Sequence, residues 1–281
     1  MCLIAVAWRA HPRYRLALIA NRDEFHARPT AAAAVAVAVD REHADVFGGR
    51  DLQAGGSWLL ASTRGRLAAV TNVRAGLHPE VAPRSRGLLV RDFVYGDHTA
   101  AEGIACLARD AADYGRFNLL LWDGDALLFA SNYPGFATRP VMPGLHAMSN
   151  GAFDAAWPKS GHASRALSAW LGMQPVHDDG DAPSLAPLFD ALADTTPAPD
   201  GALPDTGVGL ELERMLSPPF VRGERYGTRC STIVLVGDDQ IVFVERRFGP
   251  DAQPLGETST TLRRDAGHGE IPLSHGDFLR S

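Results

Sequence analysis

The first 24 residues constrain this chain more than any other stretch. Two apolar runs of strand length, residues 3–8 and 16–20, are separated by a short polar break. This order predicts a β-hairpin. In that hairpin Cys2 lies opposite Asn21, to within one or two residues, so the sequence Asn21-Arg22-Asp23-Glu24 meets the start of the chain. A slip of one residue would exchange the two faces, and the pattern alone does not fix the register.

Cys2 is the first candidate for chemistry. It directly follows Met1, which is readily trimmed ahead of a small side chain, so we expect the mature chain to begin at Cys2. A first-residue cysteine carries a thiol and a free α-amine, which pair as nucleophile and base. The α-amine has a reference pKa of about 7.7–8.0, so it is partly neutral at pH 7 and accepts the thiol proton.

The polar tip of the hairpin supplies partners for these groups. Asp23 is expected to hold the α-amine by a charge-assisted hydrogen bond. Arg22 is expected to lower the pKa of the thiol, or to bind a carboxylate of the substrate. The alternative is a buried cysteine that acts as a small hydrophobe beside a solvated cluster of ion pairs.

The sequence resembles a known family at these residues. Met-Cys-Leu-Ile and Ala-Asn-Arg-Asp-Glu-Phe are similar to the NRDE-motif family, also called the transport and Golgi organization protein 2 family, and matching pieces extend to about Val236. That family is similar in turn to the cysteine N-terminal nucleophile hydrolases, which include choloylglycine hydrolases and penicillin V acylases. The resemblance implies a four-layer α/β/β/α sandwich.

The resemblance also implies further site residues. Asn72 resembles the oxyanion-hole asparagine of those hydrolases, where a neutral amide donor suits a developing negative charge. Asn150 resembles their second active-site asparagine, although Asn-Gly is also an ordinary turn. Arg229, in Gly-Thr-Arg-Cys-Ser-Thr, resembles the arginine beside the nucleophile. The hydrolases carry another arginine three residues before the aspartate, where this chain has Ala20, and Arg22 is the candidate to replace it.

The order of elements predicts the same fold class independently. Strands, helices, strands, helices and strands follow one another without β-α-β alternation, which favours an α+β arrangement of antiparallel sheets with helices outside them. The first two strands are apolar on both faces, as expected of strands between another sheet and a helix layer. We expect a single domain over residues 1–281. Helices are predicted at residues 85–95, 100–112, 159–171, 184–194 and 210–216.

Three stretches are harder to interpret. The alanine- and valine-rich residues 31–39 fit either a strand or a connector. Glycine-rich residues 48–51 and 55–58 are expected to bracket a tight turn. The last thirty residues are polar with little periodicity, and no element is predicted there.

Composition excludes several function classes. A net charge of −6 and a pI near 5.9 argue against a nucleic-acid surface. No apolar run is long enough to span a membrane, and no secretory signal is visible. Three cysteines are too few and too scattered for a disulfide framework, which favours a reducing cytoplasm. Cys106 is expected in the core, and Cys230 is expected to point away from the site.

No cofactor or metal is predicted. The sequence has no His-Glu-x-x-His, no paired Cys-x-x-Cys and no phosphate-binding loop. Lys159 is the only lysine, so nearly all positive charge is arginine, which suits anionic ligands but also follows from base composition.

Two functions therefore compete. The first is a hydrolase or acyltransferase that attacks a linear amide or other acyl bond through a Cys2 thioester, with a small-molecule acyl substrate. The second is a non-catalytic intracellular carrier of a hydrophobic anion, such as haem or acyl-CoA, on the same fold. A third possibility is that the motif only braces the sheet.

Overall fold

The structure is a computed structural model that describes residues 2–36, 45–77, 80–176 and 182–264. In these ranges thirteen strands form two sheets, and every neighbouring pair within a sheet is antiparallel. The first sheet contains β1 (Cys2–His11), β2 (Tyr14–Phe25), β10 (Gly144–Met148), β11 (Tyr226–Val236), β12 (Gln240–Phe248) and β13 (Pro254–Arg263). Its spatial order is β10-β1-β2-β11-β12-β13.

The second sheet keeps its strands in chain order. It runs from β3 at one edge to β9 at the other. Its members are β3 (Thr30–Ala36), β4 (Val46–Asp51), β5 (Leu59–Ser62), β6 (Arg66–Asn72), β7 (Phe117–Trp122), β8 (Leu127–Ser131) and β9 (Ala137–Pro140).

Five α-helices lie outside the two sheets in the described chain. They are α1 (Arg86–Tyr95), α2 (Ala100–Asp110), α3 (Pro158–Gly172), α4 (Ala186–Leu192) and α5 (Leu210–Met215). Local sequence explains where they begin. Ser85 caps α1 by accepting a hydrogen bond from the Gly87 N–H, and Thr99 with Glu102 forms a capping box on α2.

Alternation along the strands creates three apolar cores. Ile4 and Val6 of β1 meet the second sheet, where they pack with residues such as Trp122. Leu3 and Ala5 face the opposite way, against α3 and α4. A third core joins the second sheet to α1 and α2. The layers therefore run helix, sheet, sheet, helix, which confirms the predicted four-layer α+β sandwich.

The five predicted helices are confirmed, and so is a turn after residue 51, but strand β4 was not predicted. Residues 48–51 belong to strand β4. Gly49 is required there because a Cβ at this position would lie 2.3 Å from the Trp58 ring. Residues 30–36 form β3, while residues 37–39 lie outside the described part.

Two expectations were wrong. The polar C-terminal stretch contributes β13, an exposed edge strand in which Leu262 is the buried residue, so it lacks the apolar alternation of an inner strand. Cys106 is exposed, because Ile104 and Leu107 define the buried face of α2 and Cys106 lies off that face.

Within the described residues, no helix is long and apolar enough to cross a membrane.

Candidate active site

Strand register brings the start of the chain to the polar motif. Cys2 pairs with Arg22 across the β1–β2 hairpin, one residue from the predicted partner and within the stated tolerance. On the other side of β2, Arg22 pairs with Cys230 of β11. Paired residues on adjacent antiparallel strands share a face. Cys2, Arg22 and Cys230 therefore form a row on the face that meets the second sheet.

A cavity of about 570 Å³ opens at this end of the sandwich. Four of the six predicted site residues line it, namely Cys2, Arg22, Asp23 and Asn72. One part of its wall is apolar: Phe25, Trp58, Val70, Leu212, Met215 and Leu216. Another part is charged or polar: Glu24, Arg28, Asp51, Arg86 and Tyr226.

Arg22 is held rigidly beside the thiol. Its guanidinium lies 4.3 Å from the centre of the Trp58 ring, close enough for a cation–π contact. Its Nη1 donates a 3.4 Å hydrogen bond to Thr30 Oγ1, and its Nη2 lies 3.7 Å from a carboxylate oxygen of Glu24. Arg22 is 6% exposed, so its charge acts on Cys2 with little screening by solvent.

The surroundings of Cys2 act on the pKa of its thiol in opposite directions. Burial raises its pKa above the usual range, and this effect outweighs the charge of Arg22 and the hydrogen bond from the Asp23 backbone N–H, both of which lower it. Arg22 thus lowers the pKa of the thiol, as expected, but the desolvation of the thiolate is the larger effect and the net pKa is raised. A thiol of this kind needs a nearby base to become a nucleophile.

Asp23 points to the other face of the first sheet, toward the helix layer. It is 2% exposed, and Thr228 Oγ1 donates a 2.6 Å hydrogen bond to its Oδ1. Burial raises the pKa of Asp23, while the nearby charge of Lys159 acts in the opposite direction. Arg22 and Asp23 thus approach the beginning of β1 from its two faces.

Asn21, the first residue of the Asn-Arg-Asp-Glu motif, holds the end of β2 in place through its side chain. Its Nδ2 donates hydrogen bonds of 2.8 Å to Leu192 O and 2.9 Å to Pro219 O, and its Oδ1 accepts one from Ser231 Oγ. These bonds tie the end of β2 to the last residue of α4, to the segment after α5 and to β11. Asn21 is 1% exposed and therefore has a structural role.

Asn72 and Asn150 form a pair. Asn150 Nδ2 donates 3.0 Å hydrogen bonds to both the backbone O and the side-chain Oδ1 of Asn72. Asn150 is fully buried and does not line the cavity, whereas Asn72 does. Asn150 thus engages Oδ1 of Asn72, and the Asn72 side chain also carries an amide donor, Nδ2.

Arg229, like Asn150, is a predicted site residue that does not line the Cys2 cavity. Strand β11 is irregular between Thr228 and Cys230, and this bulge offsets Arg229 from the row. Its Nη1 donates to Phe25 O at 2.8 Å and to Arg28 O at 3.1 Å. It therefore braces a turn whose residues line the Cys2 cavity, without lining that cavity itself.

Cys230 also lies outside the Cys2 cavity. It lines a second cavity of about 70 Å³, together with Arg22, Arg229 and Glu245. Cys230 is 3% exposed, and burial raises its pKa well above the usual range, with a further increase from the charge of Glu245.

Sequence reasoning missed several residues near Cys2. Arg86 and Tyr226 reach the cavity from the start of α1 and of β11, and the α5 segment supplies its apolar cover. No local pattern marks these residues, because distant parts of the chain bring them together. Lys159 did carry a signal, since it is the only lysine in the chain.

The arrangement provides a thiol, an amide donor and an arginine around an accessible space. Such groups suit nucleophilic attack on an acyl carbon with stabilisation of the oxyanion. Among the residues that the structure describes, no cluster of three or more His, Cys, Asp or Glu side chains is suited to hold a metal ion.

Comparison with known proteins identifies the family. Residues 1–250 match the family model for transport and Golgi organisation 2. The human transport and Golgi organization protein 2 homolog is 32% identical over 268 residues, which cover 88% of this chain and 92% of the human protein. The Drosophila melanogaster transport and Golgi organization protein 2 is 28% identical over 296 residues, covering 93% and 96%.

Among solved structures, penicillin V acylase from Agrobacterium tumefaciens is similar at 12% identity, with a TM-score of 0.49 over 86% of this chain and 82% of that one. The Caenorhabditis elegans N-acylethanolamine-hydrolyzing acid amidase ortholog has a TM-score of 0.47 at 12% identity, over 83% and 92%. The sequence matches carry the assignment: this chain belongs to the transport and Golgi organisation 2 family.

Proposed function

We propose that this protein is an N-terminal cysteine hydrolase or acyltransferase that acts on a linear amide or other acyl bond. The observation that supports this most is the convergence of Cys2, Arg22, Asp23 and Asn72 on one cavity. Three of these residues come from the ends of the first hairpin, and Asn72 comes from the other sheet. Purely structural polar residues would not need to share an open cavity with a thiol.

The reaction begins with activation of the nucleophile. Once Met1 has been removed, the α-amine of Cys2 takes the thiol proton, and the sulfur forms a bond to the acyl carbon of the substrate. The carbonyl oxygen gains the negative charge, which Asn72 Nδ2 stabilises. The ammonium then returns the proton to the leaving nitrogen or oxygen as the bond to it breaks.

The product of this first half is a thioester on Cys2 and a free amine or alcohol. Water, or another acceptor, then attacks the thioester carbonyl while the α-amine removes its proton. The tetrahedral intermediate expels the sulfur, which recovers a proton from the ammonium. The acceptor decides between hydrolysis and acyl transfer, and the acyl group is expected to lie on the apolar wall formed by Leu212, Met215 and Leu216.

A non-catalytic carrier is the second candidate, and the composition of the cavity wall favours it. Arg28 and Arg86 line the cavity beside the apolar cover, so a hydrophobic anion such as haem or an acyl-CoA would find both kinds of contact. Cys2 would then serve at most as a soft ligand atom. Carrier function requires reversible occupancy and no covalent intermediate.

Trapping the acyl-enzyme distinguishes the two candidates. The purified protein is exposed to an activated acyl ester or a penicillin-type amide, and peptide mass mapping locates the added acyl mass. We expect time-dependent acylation of Cys2 that neutral hydroxylamine removes, as it does from thioesters. The exposed Cys106 is replaced by serine beforehand, because its accessibility would otherwise add background labelling.

The matched control is Cys2→Ala in the same Cys106→Ser background. That variant should lose the hydroxylamine-sensitive acyl group while Cys230 stays unlabelled in both proteins. Absence of acylation at Cys2, together with tight and reversible binding of haem or acyl-CoA, would contradict the enzyme and support the carrier.

A further inference from the structure

Lys159 occupies an unusual place for the only lysine in the chain. It is the second residue of α3, directly after Pro158, and it is 2% exposed. A cation near a helix N-terminus is disfavoured by the helix dipole, and a buried ammonium is disfavoured further by desolvation. Both unfavourable terms, the helix dipole and desolvation, therefore apply to Lys159.

The buried ammonium of Lys159 is stabilised by neighbours that belong to the Cys2 site. Lys159 Nζ donates a 3.1 Å hydrogen bond to the backbone O of Leu216, a residue that lines the Cys2 cavity. Helix α3 packs on β1, on the face of the first sheet where Asp23 places its carboxylate. Lys159 is thus a buried link between Asp23, the start of β1 and the apolar cover.

The charged groups around Lys159 come from four elements. Asp23 faces it from β2, Cys2 from β1, Glu213 from α5, and Arg74 from the segment after β6. Arg74 and Glu213 are already joined by a buried ion pair, and each is less than a tenth exposed. Asp23 is the other carboxylate that faces Lys159, and Lys159 is the first charged group that acts on it. Burial keeps the pKa of Tyr226 well above its ordinary value, so this neighbour adds no charge at neutral pH.

We propose that Lys159 is a positioning residue of the Cys2 site, which neutralises Asp23 and so leaves the α-amine of Cys2 free to stay in its basic form. The inference rests on the proposed function of Cys2. Two carboxylates, Asp23 and Glu213, and two cations, Arg74 and Lys159, make a cluster without net charge. The neutral form of the Cys2 α-amine leaves this balance unchanged. Its protonated form would add one positive charge that no carboxylate of the cluster compensates.

Burial lowers the pKa of Lys159, and the charge of Asp23 acts against that effect. The coupling is reciprocal, because Lys159 is also the first charged neighbour that lowers the pKa of Asp23. Both observations agree with the burial of the two residues on the side of the first sheet that α3 covers.

Loss of the lysine charge should change the pKa values of the Cys2 α-amine and thiol in a predictable direction. Without it the cluster is left with one net negative charge, which stabilises protonation of the α-amine and disfavours the Cys2 thiolate. Both effects raise the pKa of the group concerned, so the reactive form of Cys2 appears at higher pH. The expected displacement is about one pH unit, typical of the loss of one close charge.

The unmodified protein allows a direct measurement. Lysine labelled with ¹³C at Cε gives a single lysine signal, because the chain contains one lysine. We expect the ammonium chemical shift at pH 7, which requires no substitution and no substrate. A neutral-amine shift at pH 7 would overturn the proposal.

A variant tests the effect on Cys2. The rate of Cys2 alkylation by iodoacetamide is followed against pH in the Cys106→Ser background, for Lys159→Met, Lys159→Arg and Ser160→Ala. We expect the midpoint of the rate to rise by about one pH unit in Lys159→Met, which is about tenfold slower alkylation near pH 7. Lys159→Arg should retain the original midpoint, and so should Ser160→Ala, which alters the buried neighbour without changing charge. An unchanged midpoint in folded Lys159→Met would refute the proposal.

The outcomes separate this inference from the proposed function. If Cys2 becomes acylated in the parent protein and its midpoint is insensitive to Lys159, the enzyme stands and the positioning role fails. If the midpoint shifts but no acyl group is ever transferred to Cys2, the electrostatic role stands and the enzyme fails. If Lys159→Met does not fold, the lysine signal of the parent protein decides the charge state by itself.

Discussion

Cys2 and Cys230 flank the same arginine but lie in different surroundings. Both pair with Arg22, on neighbouring strands and on the same face of the first sheet. Cys2 opens into a cavity of about 570 Å³, whereas Cys230 lines one of about 70 Å³ and is 3% exposed. Glu245 faces Cys230 and raises its pKa further, while the Asp23 backbone N–H donates to the sulfur of Cys2.

The comparison shows that a neighbouring arginine does not by itself make a nucleophile. Burial raises the pKa of both thiols despite their shared cation. What distinguishes Cys2 is access to a cavity, an amide donor on the facing sheet, and the α-amine that follows from Met1 removal. These features are properties of the site rather than of the thiol.

The largest effect is expected from Asn72, which belongs to the Cys2 cavity and is absent from the lining of the smaller one. Asn72→Ala removes the amide donor that the proposed mechanism assigns to the oxyanion. We expect acyl transfer to Cys2 to fall by about 10²–10³-fold, the range known for loss of one such donor. Acylation kinetics with an activated ester measure this directly.

The same protein provides the control for Asn72→Ala. Alkylation of Cys2 by iodoacetamide forms no oxyanion, so its rate should stay within about twofold of the parent protein. An equal fall in both rates would mean that Asn72 only supports the structure around the thiol. Unchanged acylation would remove Asn72 from the mechanism.

A smaller effect distinguishes the two arginines. Arg22→Met should raise the pKa of the Cys2 thiol by about one unit and slow its alkylation at neutral pH about tenfold. Arg229→Ala should leave the profile of Cys2 unchanged, because Arg229 contacts backbone carbonyls and lines the other cavity. Alkylation rate against pH reads out both variants.

The converse result would restore the interpretation that family resemblance favours. If Arg229→Ala displaces the profile and Arg22→Met does not, Arg229 lies closer to the reactive thiol than the structure indicates. Thermal unfolding of each variant checks that the fold is retained, since Arg22 is buried and stacks on Trp58.

Much of this fold was predictable because several of its main elements depend on residues that are close together in the sequence. The first hairpin follows from two apolar runs, and its register was predicted to within one residue. The helices α1 and α2 follow from apolar spacing and, for α2, a capping box. Strand β4 was missed because its glycines make room for other parts of the chain: Gly49 for the Trp58 ring just before β5, and Gly48 for Leu59 and Leu60 of β5, contacts that no local pattern reveals.

The site was predictable only in part, for the same reason. Cys2 and the polar motif adjoin through a short hairpin, whereas Asn72 and Asn150 meet across 78 residues of sequence. The offset of Arg229 depends on a bulge, and the apolar cover depends on where α5 packs. Lys159 stands out in composition, but its partners became visible only with the fold.

The central claim is that the α-amine of Cys2 activates its thiol. The most direct measurement compares the mature protein, shown by intact mass to begin at Cys2, with an extended form that carries added residues ahead of Cys2. Both are exposed to the same activated acyl ester in the Cys106→Ser background, and acylated Cys2 is quantified by peptide mass mapping.

We predict that the mature form acylates and that the extended form binds ligands normally yet fails to acylate. Without the amine, a thiol of ordinary pKa offers only about a few per cent thiolate at pH 7. Equal acylation of the two forms, or retention of Met1 on most molecules in the native cells, would contradict the account.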